Sequence, residues 1–118
     1  MINLLVLKEN SDNENRVALV PDEIKKYLDL GFKVVVEKDA GTKSGFLDED
    51  YKKANANISN NIKKSIKESD VIIKVQKLDP GLIKEMKTGA ILIGLLSPQK
   101  NSSENAIYNK KKISAFAL

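Results

Sequence analysis

Strand and helix signatures alternate along this chain, and they predict a three-layer α/β domain, Rossmann-like or flavodoxin-like, around a mostly parallel sheet. Two observations carry the prediction. Short apolar runs rich in Val and Ile recur at Ile2–Leu7, Val34–Val36, Val71–Val75, Ile91–Leu95 and Ile113–Ala117. Runs this short and this apolar fit strands buried on both faces of a parallel sheet. Between them lie segments with helical spacing, closed by glycines or opened by Pro, Asp or Asn. At 118 residues the chain is one domain, residues 1–118, and a small one for this class.

The elements follow in order. Ile2–Lys8 reads as the first strand, and Asn10–Asn15 as a polar loop. After Arg16-Val-Ala-Leu-Val20, Pro21-Asp-Glu opens a helix, with acids suited to its positive end. Ile24, Tyr27, Leu28 and Leu30 form its apolar stripe, and Gly31 ends it in a left-handed conformation. Phe32–Glu37 is the second strand, and a glycine-containing loop runs to Phe46. Asp48 is the expected N-cap of a helix through Tyr51 and Ala54. Ala56–Ser59 suggests a short edge strand, and Asn61–Glu68 a helix with Ile62 and Ile66 one turn apart. Asp70–Val75 is the central strand. A helix over Pro80–Lys87, a strand over Ala90–Leu96, a helix capped by Asn101 or Ser102 and a strand over Lys112–Leu118 complete the pattern.

Composition removes several chemistries. There is no Cys, hence no disulfide framework and no thiolate nucleophile. There is no His, the usual acid/base group near neutral pH and the commonest metal ligand, so no metal site is expected. The net charge of +4 is spread over lysines mixed with acids. Lys110-Lys111-Lys112 is the densest cluster and reads as a solvated turn. Aromatic residues are few, so nucleic acid is not an expected partner. No apolar run approaches the roughly 20 residues needed to span a bilayer, and no direct membrane insertion is expected. The Met1 segment has no basic leader, which points to a cytoplasmic protein.

Three motifs invite chemistry. Gly41-Thr-Lys-Ser-Gly45 superficially suggests a phosphate loop, but its Lys-Ser precedes the second glycine and no helix follows directly. A turn needing positive φ is the better reading. No Gly-x-Gly-x-x-Gly follows any strand, so the glycine-rich dinucleotide fingerprint is absent. Gly94 inside a strand suggests close backbone approach or a bulge. Lys74 interrupts an apolar run at its carboxyl end, where α/β sheets bind ligands. The alternative is an ammonium that snorkels to water. Arg16 could grip a carboxylate with its fork of donors, or pair on the surface with Glu14 or Asp22. Glu9 and Glu14 read as acids of a solvated loop.

Six segments, in order, resemble one family. They are Glu14-Asn-Arg-Val-Ala-Leu-Val-Pro21, Leu30-Gly-Phe-Lys-Val-Val-Val-Glu37, Ala40-Gly41 with Ser44-Gly-Phe46 and Asp50-Tyr51, Asp70-Val-Ile-Ile-Lys-Val75, Gly89-Ala-Ile-Leu-Ile-Gly94 and Ile113-Ser-Ala-Phe-Ala-Leu118. The chain is similar to the N-terminal domain shared by alanine dehydrogenase and the alpha subunit of proton-translocating NAD(P) transhydrogenase. The resemblance implies the opening portion of a two-lobed protein whose second lobe, a Rossmann domain, binds NAD(H). It implies NAD(H) and NADP(H) as cofactors of the full complex, with none bound by this chain alone. The implied partners are the NAD-binding lobe, membrane transhydrogenase subunits at the inner face of the membrane and a second copy in a homodimer.

In alanine dehydrogenases the residues matched by Arg16 and Lys74 hold the keto-acid substrate. A His of those enzymes follows the strand matched by Ala90–Leu96, and a gap-free count puts Ser97 there. The absence of His favours the transhydrogenase branch, as do Ser44-Gly-Phe46 and Ser114-Ala-Phe-Ala-Leu118. In that branch Arg16 and Lys74 are structural or vestigial. The rivals are a fragment of an alanine dehydrogenase-like amino-acid dehydrogenase and a non-catalytic remnant or interaction module. The chain stops inside an apolar strand, so an incomplete domain, inactive by itself, is expected.

Overall fold

A computed structural model describes residues 2–9, 16–75, 80–94 and 114–117. The loop expected at Asn10–Asn15, the helix beginning near Asn101, the lysine cluster, Ser97 and Leu118 lie outside the described residues. The described chain runs β1 (Ile2–Val6), α1 (Ile24–Asp29), β2 (Phe32–Glu37), α2 (Asp48–Lys53), β3 (Asn57–Ser59), α3 (Ile62–Glu68), β4 (Val71–Ile73), α4 (Pro80–Ile83), β5 (Ile91–Gly94) and β6 (Ser114–Ala117). The strands form one sheet in the order β3-β2-β1-β4-β5-β6. Every neighbouring pair is parallel. This is the strand order of the doubly wound dinucleotide-binding fold, not the flavodoxin order.

Alternation along the strands sorts the apolar residues to two faces. Leu5, Leu7, Ile72 and Leu92 pack with Ile66, Ile83 and Met86. This face is covered by α3 and α4. Leu4, Val6, Val34 and Val36 pack with Ile24, Tyr51 and Leu19 on the face covered by α1 and α2. The central strand β1 is sandwiched between the two, which is why its run is apolar at every position from Leu4 to Leu7.

Several local expectations hold with adjusted boundaries. Pro21–Glu23 forms a 3-10 turn that leads into α1. Gly31 has φ 97° and Gly45, closing a 3-10 turn at Thr42–Ser44, has φ 85°. Asn61 caps α3, its Oδ1 accepting the Lys64 N–H at 3.2 Å. Within β5 and β6 the register is unbroken through Gly94 and Ala117, so no bulge marks that glycine.

Other expectations are corrected. Leu30 is 73% exposed and is not part of the α1 stripe, because the helix has ended by then. Asp48 is the first residue of α2 rather than its cap. Leu47 holds the cap position, and Asp50 reaches back to accept the Leu47 N–H at 2.8 Å. Asp48 instead accepts the N–H of Asp39, a residue held at φ 64°. The fourth helix stops at Ile83 and continues as i→i+3 turns to Met86, with Gly81 weakening its first turn. The strand expected over Val71–Val75 pairs regularly only to Ile73.

Ile72 is fully buried where β4 meets α3 and α4. Ile72→Ala is expected to cost about 2–5 kcal/mol, because the surrounding helices cannot close the void. Urea denaturation checks it through a lower midpoint at unchanged slope.

Candidate functional site

The chain leaves the sheet at β3, on one edge, and returns through α3 to β4, beside β1. From the neighbouring carboxyl ends of β1 and β4 the chain therefore goes on to opposite halves of the sheet, to β2 on one side and β5 on the other. That divergence makes a crevice, the position where doubly wound sheets bind ligands.

Lys74 stands in this crevice. The pairing of Val6 with Ile73 brings the residues after β1 alongside the residues after β4. The Lys74 N–H still donates to the Ile93 carbonyl at 3.0 Å, which ties its backbone to β5. Its side chain does not reach water, for Lys74 is only 4% exposed. Nζ meets Oε1 of Glu9 at 3.3 Å, and Oε2 of Glu9 accepts the Val75 N–H at 2.8 Å. Glu9 is itself 3% exposed.

This corrects two readings of the sequence. Glu9 is a buried carboxylate, not an acid of a solvated loop. Lys74 does not snorkel to water at a strand end. Burial requires each charge to have a partner, and each supplies the other's. The signal for Glu9 was available: like Lys74, it sits just past the carboxyl end of a fully apolar run.

A second carboxylate stands at the end of β2. Glu37 accepts the Lys8 N–H at 2.8 Å. Burial pushes its carboxyl above the usual value, and the Glu9 charge adds to that. The Lys8 N–H bond and the charges of Lys8 and Lys74 pull the other way. Glu9, Glu37, Lys8 and Lys74 thus form a balanced set of two acids and two bases at the ends of β1, β2 and β4.

Arg16 is exposed, at the start of the Arg16–Val20 segment. That segment is tethered from below. Val17 and Ala18 pack against the α1/α2-side core, and Leu19 is buried in it. The Leu19 carbonyl accepts a hydrogen bond from the Tyr51 hydroxyl at 2.8 Å. Gly41 lies against the same ring, where a Cβ would come within 2.8 Å of it. So the Gly41–Gly45 stretch serves packing and a turn, as expected. An open depression of about 520 Å³, lined by Pro21, Asp22, Gly45, Phe46, Asp50, Lys53 and Ala54, shares no wall residue with the ion pair.

The crevice has no glycine-rich turn. Leu7-Lys8-Glu9 follows β1 instead. A group brought there would meet the Glu9 and Glu37 carboxylates together with the Lys8 and Lys74 side chains. Among the described residues, no group of three His, Cys, Asp or Glu is placed to hold a metal ion. No helix among them is long and apolar enough to cross a membrane.

Fold and site define a doubly wound α/β lobe whose switch point holds a buried lysine–glutamate pair. Comparison with known proteins makes the class specific. The family model described as alanine dehydrogenase/PNT, N-terminal domain, matches residues 5–118, and the chain belongs to that family. It is 36% identical over 113 residues to the NAD(P) transhydrogenase subunit alpha of Haemophilus influenzae, covering 96% of this chain and 22% of that protein. It is 37% identical over 113 residues to alanine dehydrogenase 1 of Staphylococcus aureus, covering 96% of this chain and 29% of that protein. The transhydrogenase structure from Sinorhizobium meliloti superposes with a TM-score of 0.88 at 33% identity, over 98% of this chain and 34% of that one. An L-alanine dehydrogenase structure gives 0.87 at 25% identity, over 98% of this chain and 32% of that one. The chain therefore spans between 22% and 34% of the length of these oxidoreductase relatives.

Two outcomes follow from this geometry. Lys74→Ala removes the ammonium that meets the buried Glu9 carboxylate, and a loss of about 3–5 kcal/mol is expected in urea denaturation. A strand-end lysine in water would have cost almost nothing. Tyr51 is fully buried, and burial first, then the charges of Asp48 and Asp50, push its phenol up to about 12. The unfolded chain releases that proton near the ordinary value of 10.0, so the folded state holds more protons between the two values. Stability is therefore expected to fall as pH rises through that window. Tyr51→Phe should remove this alkaline loss while costing about 1–3 kcal/mol at neutral pH, where the Leu19 carbonyl loses its donor.

Proposed function

We propose that this chain is the N-terminal portion of a proton-translocating NAD(P) transhydrogenase alpha subunit. In the full complex, hydride would pass from NADH to NADP with proton translocation by membrane subunits. One observation carries the choice of branch: the sequence contains no His. The keto-acid chemistry of alanine dehydrogenases relies on a His after the strand matched by β5, and no position of this chain can supply it. The buried pairing of Lys74 with Glu9 supports the same reading, since it gives that ammonium a structural role.

In this reading the chain is one wall of a two-lobed enzyme. NAD(H) belongs to the partner lobe and NADP(H) to another part of the complex, and the 118-residue chain alone is inactive. The further partners are the membrane subunits and a second copy of the alpha subunit, with the assembly at the cytoplasmic face of the membrane. A role for Arg16 and Lys74 in one cleft, gripping a small carboxylate, belongs to the rival reading as an amino-acid dehydrogenase fragment. The 37% identity with an alanine dehydrogenase favours that rival.

Calorimetric titration of NADH into the isolated chain tests the first reading. No saturable binding tighter than about millimolar is expected, because scattered surface contacts hardly offset the cost of ordering the dinucleotide. Micromolar binding near one equivalent would overturn it. Joined to its NAD-binding lobe, the protein should reduce an NADP analogue with NADH. Reductive amination of pyruvate by the same assembly would decide for the rival.

A further inference from the structure

We propose that Tyr51 is a strut between two loops: its ring bears on the loop after β2, and its hydroxyl holds the backbone of residues 16–20. Loss of the hydroxyl, or displacement of the ring, lets that segment open while the rest of the fold stays closed. Both loops leave the carboxyl ends of neighbouring parallel strands. Residues 16–20 lie on the way from β1 to α1, and residues 38–47 join β2 to α2. The 16–20 segment belongs to no helix or strand. With no ladder of its own, its place is set by contacts from elsewhere in the fold. The Tyr51 hydroxyl, reaching across from α2, donates to the Leu19 carbonyl at 2.8 Å, and both residues are buried. The Glu23 N–H donates to the Val20 carbonyl at 3.1 Å and ties the segment's exit to the turn before α1.

The other side of the ring is set by Gly41. A Cβ there would stand 2.8 Å from Cε2 and from the hydroxyl oxygen of Tyr51, and 2.9 Å from Cβ of Phe46. Those distances are shorter than side chains tolerate. Gly41 has φ −97°, which alanine adopts, so the constraint at this position is space and not backbone conformation. The Phe46 N–H donates to the Gly41 carbonyl at 2.9 Å and closes the loop about that contact. The ring therefore rests on one loop in the position from which its hydroxyl reaches the other. A displacement made at Gly41 is carried through the ring to Leu19. The device does not depend on which branch of the family the chain comes from.

Arg16 is exposed and is the one arginine in the sequence, so an arginine-specific protease can cut the 118-residue chain at a single bond, Arg16–Val17. Its rate on the folded chain reads how often the segment opens. Tyr51→Phe should speed that cut by about 5- to 100-fold at neutral pH, the range expected for leaving a buried carbonyl without its donor. The rate should stay nearly flat in urea below the unfolding transition, because local opening exposes little surface. Gly41→Ala keeps the hydroxyl but displaces the ring, and should speed the same cut from the other loop. Ile72→Ala lowers the stability of the whole fold from the opposite face of the sheet and should leave the rate unchanged. An unchanged rate in Tyr51→Phe or in Gly41→Ala overturns the proposal. So does a rate that climbs steeply with urea or rises in Ile72→Ala, since the segment would then open only with the whole fold. Should Tyr51→Phe fail to fold, Gly41→Ala and the urea dependence of the unaltered chain decide by the same criteria.

Discussion

The pairing of β1 with β4 is the constraint on which the rest of the structure depends. The two strands are separated by more than sixty residues of chain, and among the described residues three helices and two strands lie between them. They are laced at both ends. Where they begin, the Asn3 N–H donates to the Asp70 carboxylate at 2.8 Å, and the Asp70 N–H returns to the Asn3 carbonyl at 2.9 Å. Lys87 binds the other oxygen of Asp70 at 2.9 Å. The Asn3 bond first, then Lys87, holds that carboxyl below its usual range, so this contribution fades as acid protonates Asp70. Where the strands end, Leu7 donates to the Ile73 carbonyl at 3.1 Å and Glu9 takes the Val75 N–H. A slip of one residue would turn Leu5 and Leu7 to the wrong face and break all of these bonds.

That pairing also explains how much of the fold the sequence reveals. Buried parallel strands need apolar residues on both faces, so the runs at β1, β2, β4 and β5 stand out from the polar chain around them. Helices are harder to bound. Those among the described residues are four to seven residues long, too short for a stripe to repeat, and their ends are set by tertiary contacts. Leu30 illustrates this, since it continues the spacing of Ile24 and Tyr27 but lies beyond the last helical turn. Lys74 shows the opposite limit. Its position at a strand end is legible, whereas its environment depends on Glu9, which arrives from 65 residues away. Nothing local to either residue records that meeting.

The crevice between β1 and β4 exists in every sheet of this order, because the chain reverses direction of travel there. A dinucleotide-binding lobe exploits it with a glycine-rich turn, which lets pyrophosphate approach the backbone. Here the residues directly after β1 read Leu7-Lys8-Glu9, and Glu9 sets a buried carboxylate at the switch point. This is why the dinucleotide-type strand order alone says nothing about nucleotide binding.

The distribution of charge completes the contrast. The excess of basic residues lies on exposed helical and turn positions such as Lys25, Lys26, Lys52, Lys63 and Lys64. At the strand ends Lys8 and Lys74 are matched by Glu9 and Glu37. Among the described residues the strand ends therefore pair their charges, while the surface lysines act at distances that salt screens. What the strand ends offer is order: one ammonium and one carboxylate already joined, with the backbone of Val75 as their anchor. Buried charges of this kind are tolerated because each is held against a partner before any other group approaches.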